Sequence, residues 1–193
     1  SSTQDPSIYD STRGVTKRLK SSSSEAESTV AAGFTAFGSD GFSLGSATEN
    51  NDSGETFVGW SWRCNGGTTS TNDSGSVDST VQANTKTGFS IVQTPNYSSS
   101  ATFGHGLSSA PEFILARLTG GSSWAVYHNG IGDSGKILYL NTDAAAITNA
   151  AFNSTAPTSS VFSLGAPFGG SGAGIVYCWH SVEGFSKFGS YKG

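Results

Sequence analysis

The sequence predicts an all-β protein: an antiparallel β-sandwich of jelly-roll or immunoglobulin-like architecture, built from an internal repeat, with minimal helix. Three observations carry this. Short runs of β-branched and aromatic residues alternate with clusters of Gly, Ser, Asn and Asp. Helical periodicity is nearly absent. The chain also repeats itself, and the repeat unit spans several strands.

Taken in order, strands are expected at Val15–Lys20, Gly41–Leu44, Thr56–Trp62, Phe89–Thr94, Thr102–Leu107, Glu112–Leu118, Trp124–His128, Lys136–Asn141, Val161–Leu164 and Ile175–Ser181. In the first of these, Lys17 and Leu19 share one face and Arg18 and Lys20 the other. Trp60 and Trp62 share a face, as do Tyr177 and Trp179. Asn51-Asp52-Ser53-Gly54, Asn72-Asp73-Ser74-Gly75 and Gly132-Asp133-Ser134-Gly135 place Asx and Gly where tight reversals need them. The Ala-rich stretches Glu25–Ala32 and Asp143–Ala151 are long enough for one or two helical turns only.

Residues 18–45 lie on 138–165 without a gap, so that Phe42-Ser43-Leu44-Gly45 falls on Phe162-Ser163-Leu164-Gly165. With small gaps, Ile8-Tyr9-Asp10 meets Val126-Tyr127-His128, and Val58-Gly59-Trp60-Ser61-Trp62 meets Ile175-Val176-Tyr177-Cys178-Trp179. A second echo links Gly88-Phe89-Ser90 to Gly184-Phe185-Ser186. The expected organisation is a partial N-terminal β module plus linker over 1–87, a complete sandwich module over 88–183, and over 184–193 the first strand of a following or partner module. Phe185, Lys187, Phe188 and Tyr191 are its candidate assembly residues: the phenylalanines have no module of their own, and Lys187 and Lys192 keep an unpaired strand soluble. Either this strand joins the sheet of another copy head-to-tail, or it folds back on its own chain. The opening Ser1-Ser2-Thr3 reads as the start of a processed product or of a segment of a longer polypeptide.

Charged residues are 12% of the chain, against roughly 25% in ordinary soluble domains. Twelve Phe, six Tyr and four Trp still supply a core, which separates the chain from disordered sequences. The net charge of −4 offers no general attraction to nucleic acid or anionic membrane. No apolar run is long enough to span a bilayer.

The strings Thr87-Gly88-Phe89-Ser90-Ile91-Val92, Gly104-His105-Gly106-Leu107-Ser108-Ser109-Ala110-Pro111-Glu112-Phe113-Ile114 and Trp124-Ala125-Val126-Tyr127-His128 resemble a repeat module of virion or tail-fibre-like structural proteins of marine bacteriophages. Ser154–Gly165 and Val182–Tyr191 continue the resemblance over nearly the whole chain. It implies a setting, extracellular or on a virion surface, and no catalytic residues.

Site candidates follow from chemistry. Arg13, Lys17, Arg18 and Lys20 concentrate four of ten basic residues. They read as a charged strand that discourages edge pairing or, with Trp124 and Tyr127, as a contact for a surface glycan or a partner. Core packing is the competing role for the aromatic set. Sequons begin at Asn51, Asn72, Asn96 and Asn153, candidates for glycosylation in a chain so rich in Ser and Thr that they also arise by chance. Cys64 and Cys178 read as buried thiols, with pairing left open. His105, His128 and His180 show no metal-ligand spacing, and no cofactor is expected. Gly132-Asp133-Ser134-Gly135 matches a serine-protease nucleophile motif but reads as a hairpin turn. The leading expectation is a non-enzymatic structural module of a fibre or surface appendage, associating with itself or with neighbouring modules. A carbohydrate-binding module is the alternative, and a hydrolase ranks last.

Overall fold

The computed structural model describes residues 4–166 and 172–191. The chain is all-β, and its sheets are antiparallel. An eight-stranded sheet organises the molecule. It runs in the order β13 (Ile147–Thr148), β12 (Lys136–Tyr139), β11 (Ala125–His128), β10 (Phe113–Leu118), β15 (Gly174–Trp179), β8 (Phe89–Thr94), β7 (Ser79–Asn84) and β6 (Ser70–Asn72). At its centre β15 lies between β10 and β8, with Tyr177 opposite Leu115 on one side and Ile91 on the other. Every residue of β15 is buried, so its near-continuous apolar run needs cover on both faces.

That cover comes from two different sources. On one face lie β9 (Ala101–Gly104) and β14 (Val161–Leu164), which pair with each other and set Phe103, Phe162 and Leu164 against Val92, Ile114, Val176 and Cys178. On the other face lies a three-stranded sheet, β1 (Ser7–Ile8), β2 (Lys17–Lys20) and β3 (Ser28–Thr29), which inserts Leu19 among Phe89, Ile91, Trp124, Ile175, Tyr177 and Trp179. A hairpin of β4 (Phe34–Phe37) and β5 (Phe42–Leu44) and a four-residue helix, α1 (Thr48–Asn51), follow it.

The sheet runs across residue 87, the boundary expected from the sequence. β7 and β8 form one hairpin, with Val81 opposite Val92, so the segment expected to be a linker supplies two strands of the main sheet. Its polar sequence, Ser79-Thr80-Val81-Gln82-Ala83-Asn84, hides it from a hydrophobic reading. Gln82 is nevertheless fully buried, its amide accepting from the Asn65 and Gly67 backbones and donating to Ser11 and Thr12. The Ala-rich stretches are not helical; they contain β3 and β13 instead. Thr56–Trp62, expected as a strand, is not one.

The repeat is visible in three dimensions. β1-β2-β3 is an antiparallel meander like β11-β12-β13, and β5 corresponds to β14. Gly45 and Gly165 end these corresponding strands alike. Their amides bond the carbonyls of Gly33 (2.7 Å) and Ala151 (2.9 Å), and a Cβ on either would overlap a loop carbonyl, of Ala32 or Ala150.

Candidate functional site

The basic stretch does not form a free positive surface. Arg13 is turned inward, its Nε donating to Asp10 Oδ2 (2.6 Å) and its Nη1 to Glu27 Oε2 (3.0 Å). The Tyr177 hydroxyl donates to the same Asp10 oxygen (2.6 Å). Burial works against the Arg13 charge, but the neighbouring Tyr177 and Asp10 and the bond to Glu27 hold its pKa above the usual arginine value. Arg18 pairs with Glu49 (3.1 Å), Lys20 with Asp5 (2.9 Å) and Glu25 (2.8 Å), and Lys17 lies 3.7 Å from Glu27. Glu49 comes from α1 and the other acids from the segments that flank β1 and β2, so these cations are paired within the N-terminal part of the chain itself. Trp124 and Tyr127 are both core residues, on opposite faces of the main sheet, and present no ring to a sugar. This corrects the expected glycan contact on all of its aromatic members and removes its free charge.

The exposed aromatics lie elsewhere. Residues 57–62 place Phe57, Val58, Trp60 and Trp62 at the surface. A Cβ on Gly59 would stand 3.3 Å from the Phe42 ring, so the segment passes over β5, and Trp62 meets Trp179 edge-on with centroids 6.0 Å apart. The repeat gives this surface its meaning. Val58 is 77% exposed and its counterpart Ile175 is 0%; Trp60 is 79% exposed and Tyr177 4%. Phe42 is 46% exposed and its counterpart Phe162 1%. These are core positions of the repeat, uncovered in the first copy. β15 is held between β8 and β10, whereas among the described residues no strand pairs along 56–62.

The C-terminal segment divides. Phe188 is half-buried, stacked on Phe113 (5.7 Å between centroids), with its amide on the Ser181 hydroxyl (3.0 Å). A single bridge, Val182 to Ser186, closes the turn before it. Phe185, Lys187 and Tyr191 are exposed. Phe188 therefore has a place on its own chain, contrary to the expectation of two unhoused phenylalanines; Lys192 lies outside the described residues.

Remaining candidates are structural. Cys64 and Cys178 are both free and buried. Burial pushes the Cys64 thiol up to about 11, and raises Cys178 further. His105 is fully buried, its Nδ1 accepting from the Leu107 amide (3.1 Å) and its Nε2 facing the Thr158 carbonyl (3.2 Å); burial lowers its pKa. Among the described residues, no three His, Cys, Asp or Glu side chains gather as metal ligands. Of the sequons, Asn51, Asn96 and Asn153 are exposed, Asn51 ending α1 with its amide on the Gly45 carbonyl, and Asn72 packs over Gly104. Two surface depressions, of about 440 and 360 Å³, contain between them a single carboxylate, Asp78. Gly132-Asp133-Ser134-Gly135 is a turn, with Gly135 N on Asp133 Oδ1 (2.9 Å) and Ser134 Oγ on the Ser154 carbonyl (3.1 Å).

Comparison with curated proteins and with solved structures gives no match. The family model described as "Domain of unknown function (DUF7483)" matches residues 1–193, the whole length of the chain, and the chain belongs to that family.

Proposed function

We propose that this protein is a non-enzymatic structural module of a fibre or surface appendage, extracellular or on a virion surface, that works by associating with neighbouring modules. One observation carries the reading: side chains that are core in the second copy of the repeat are exposed in the first, at Val58, Trp60, Trp62, Phe42 and Leu44. An uncovered set of core positions is unfavourable in isolation and favourable at an interface. The phage-like resemblance of the repeat supports the setting. Sedimentation across a wide concentration range tests it. The expected result is reversible self-association that weakens in Trp60→Ser and in Phe42→Ser; a concentration-independent monomer sinks the reading.

A second reading, a carbohydrate-binding module for a host surface glycan, is favoured by the exposed rings of Trp60 and Trp62, which offer stacking faces that Trp124 does not. A glycan array on the wild-type chain and on Trp60→Ala distinguishes the two.

A further inference from the structure

We infer that Thr56–Trp62 is the acceptor for a β-strand formed by residues 184–191 of a second copy of this chain, in a defined register. The inference rests on the structural-module reading and supplies its contact. In the complete copy, β15 pairs antiparallel with β8, placing Trp179 opposite Phe89, Cys178 opposite Ser90 and Tyr177 opposite Ile91. The repeat maps Trp62, Ser61 and Trp60 onto Trp179, Cys178 and Tyr177, and maps Phe185, Ser186 and Lys187 onto Phe89, Ser90 and Ile91. The register between chains is therefore Trp62 opposite Phe185, Ser61 opposite Ser186 and Trp60 opposite Lys187.

Each of these pairs makes chemical sense. Trp62 and Phe185 are exposed aromatic rings, as Trp179 and Phe89 are stacked ones (4.9 Å between centroids). Trp60 and Lys187 bring a cation to an indole face. One step further along the ladder Arg63 of the acceptor stands opposite Gly184 of the donor, so no side chain blocks the end of the strand pair. On its own chain the donor is held by the turn bonds between Val182 and Phe185 and Ser186, by the Phe188 amide on the Ser181 hydroxyl and by the Phe188 stack on Phe113; these give way on strand addition, while Phe185, Lys187 and Tyr191 are already exposed. Donor and acceptor are different surfaces, so the contact is head-to-tail and propagates rather than closing as a dimer. Backbone hydrogen bonds supply affinity, and the alternating side chains supply the register.

Disulfide trapping reads the register directly. Full-length Ser61→Cys and Ser186→Cys chains are mixed under mild oxidation, with native Cys64 and Cys178 buried and silent. The expected product is a mixed covalent dimer, absent when Ser186→Cys is replaced by the out-of-register Ser190→Cys. Unchanged near-ultraviolet dichroism confirms that each variant is folded. Phe185→Asp in the full chain is expected to abolish association while leaving the fold intact. If the chains associate but the two cysteine pairs trap equally, or Phe185→Asp associates as wild type does, this acceptor is wrong and the structural-module reading stands. If no association occurs at any concentration, both fail. Protection of Trp60 by a glycan without any mixed dimer assigns the strip to sugar and overturns the inference.

Discussion

Arg117 and Trp124 converge on one atom. The guanidinium lies over the indole ring, 4.9 Å from its centroid, and Arg117 Nη1 and Trp124 Nε1 both donate to the Lys20 carbonyl, at 3.1 and 2.8 Å. Arg117 also reaches the carbonyls of Ser23 and Glu25. A residue of the central sheet and its neighbour across the hairpin thus hold the end of β2 and the loop after it. The two terminal nitrogens of the buried cation are met by backbone oxygens and its plane by a π face in place of a carboxylate, while its Nε is buried without a hydrogen-bond partner.

This clamp predicts a graded response. Trp124→Phe keeps a ring but loses the N–H, and should cost about 1–3 kcal/mol. Trp124→Ala should cost about 3–5 kcal/mol. In both, amide exchange at Leu19 and Lys20 is expected to accelerate more than at Val92 in the opposite core. Uniform acceleration would mean that the N-terminal sheet is not a separately held layer.

His105 predicts an acid response. Its pKa in the folded protein is lowered by burial, and by nearby His180, below the ordinary value of 6.5. The unfolded chain then binds the extra proton more readily, so this contribution is complete above pH 6.5 and is lost as pH falls below it. Protonating Nδ1 also removes the acceptor for the Leu107 amide. Urea midpoints should drop between pH 7.5 and 5, and His105→Gln should flatten that dependence while lowering the neutral-pH midpoint. An unchanged slope in the variant contradicts the assignment.

Alkali is predicted to act through the thiols and phenols. Cys64 is raised from 9.0 to about 11 and Tyr97 from 10.0 to about 12, each by burial. Cys178 and Tyr177 shift the same way. A folded pKa above the unfolded one gives stability that is present below pH 9 and falls as pH rises through the folded values. Melting temperature should hold to about pH 9 and then decline. An aromatic disulfide reagent at pH 8 should find neither thiol in the folded chain and both after denaturation.

The paired glycines separate core from edge. Gly165→Ala forces a methyl group against Ala150 beside Phe152 and Leu164, and should cost about 1–3 kcal/mol by overpacking. Gly45→Ala meets the equivalent carbonyl of Ala32, but at the end of the first copy where neighbouring Phe42 and Leu44 are exposed rather than packed in a core. It should cost less. Equal losses in chemical denaturation would contradict the difference in packing between the two copies.

Much of the architecture was legible without coordinates. Phe89–Thr94 and Val161–Leu164 match β8 and β14 residue for residue, because apolar and β-branched runs bounded by Gly, Ser and Pro have few alternatives to a strand. The repeat was legible too, since it needs only identity at fixed spacing. β7 was missed because only Val81 and Ala83 carry its apolar face while its other face is closed by the hydrogen-bonded Gln82, and Thr56–Trp62 was misread because its residues are those of a central strand. Alternation along a chain shows that a segment has a face to bury, and says nothing about which neighbour buries it. Trp60 and Tyr177 occupy the same place in the repeat, and so do Phe42 and Phe162. Tertiary structure alone decided that one of each pair is core and the other surface, because burial belongs to the strands on either side and not to the residue.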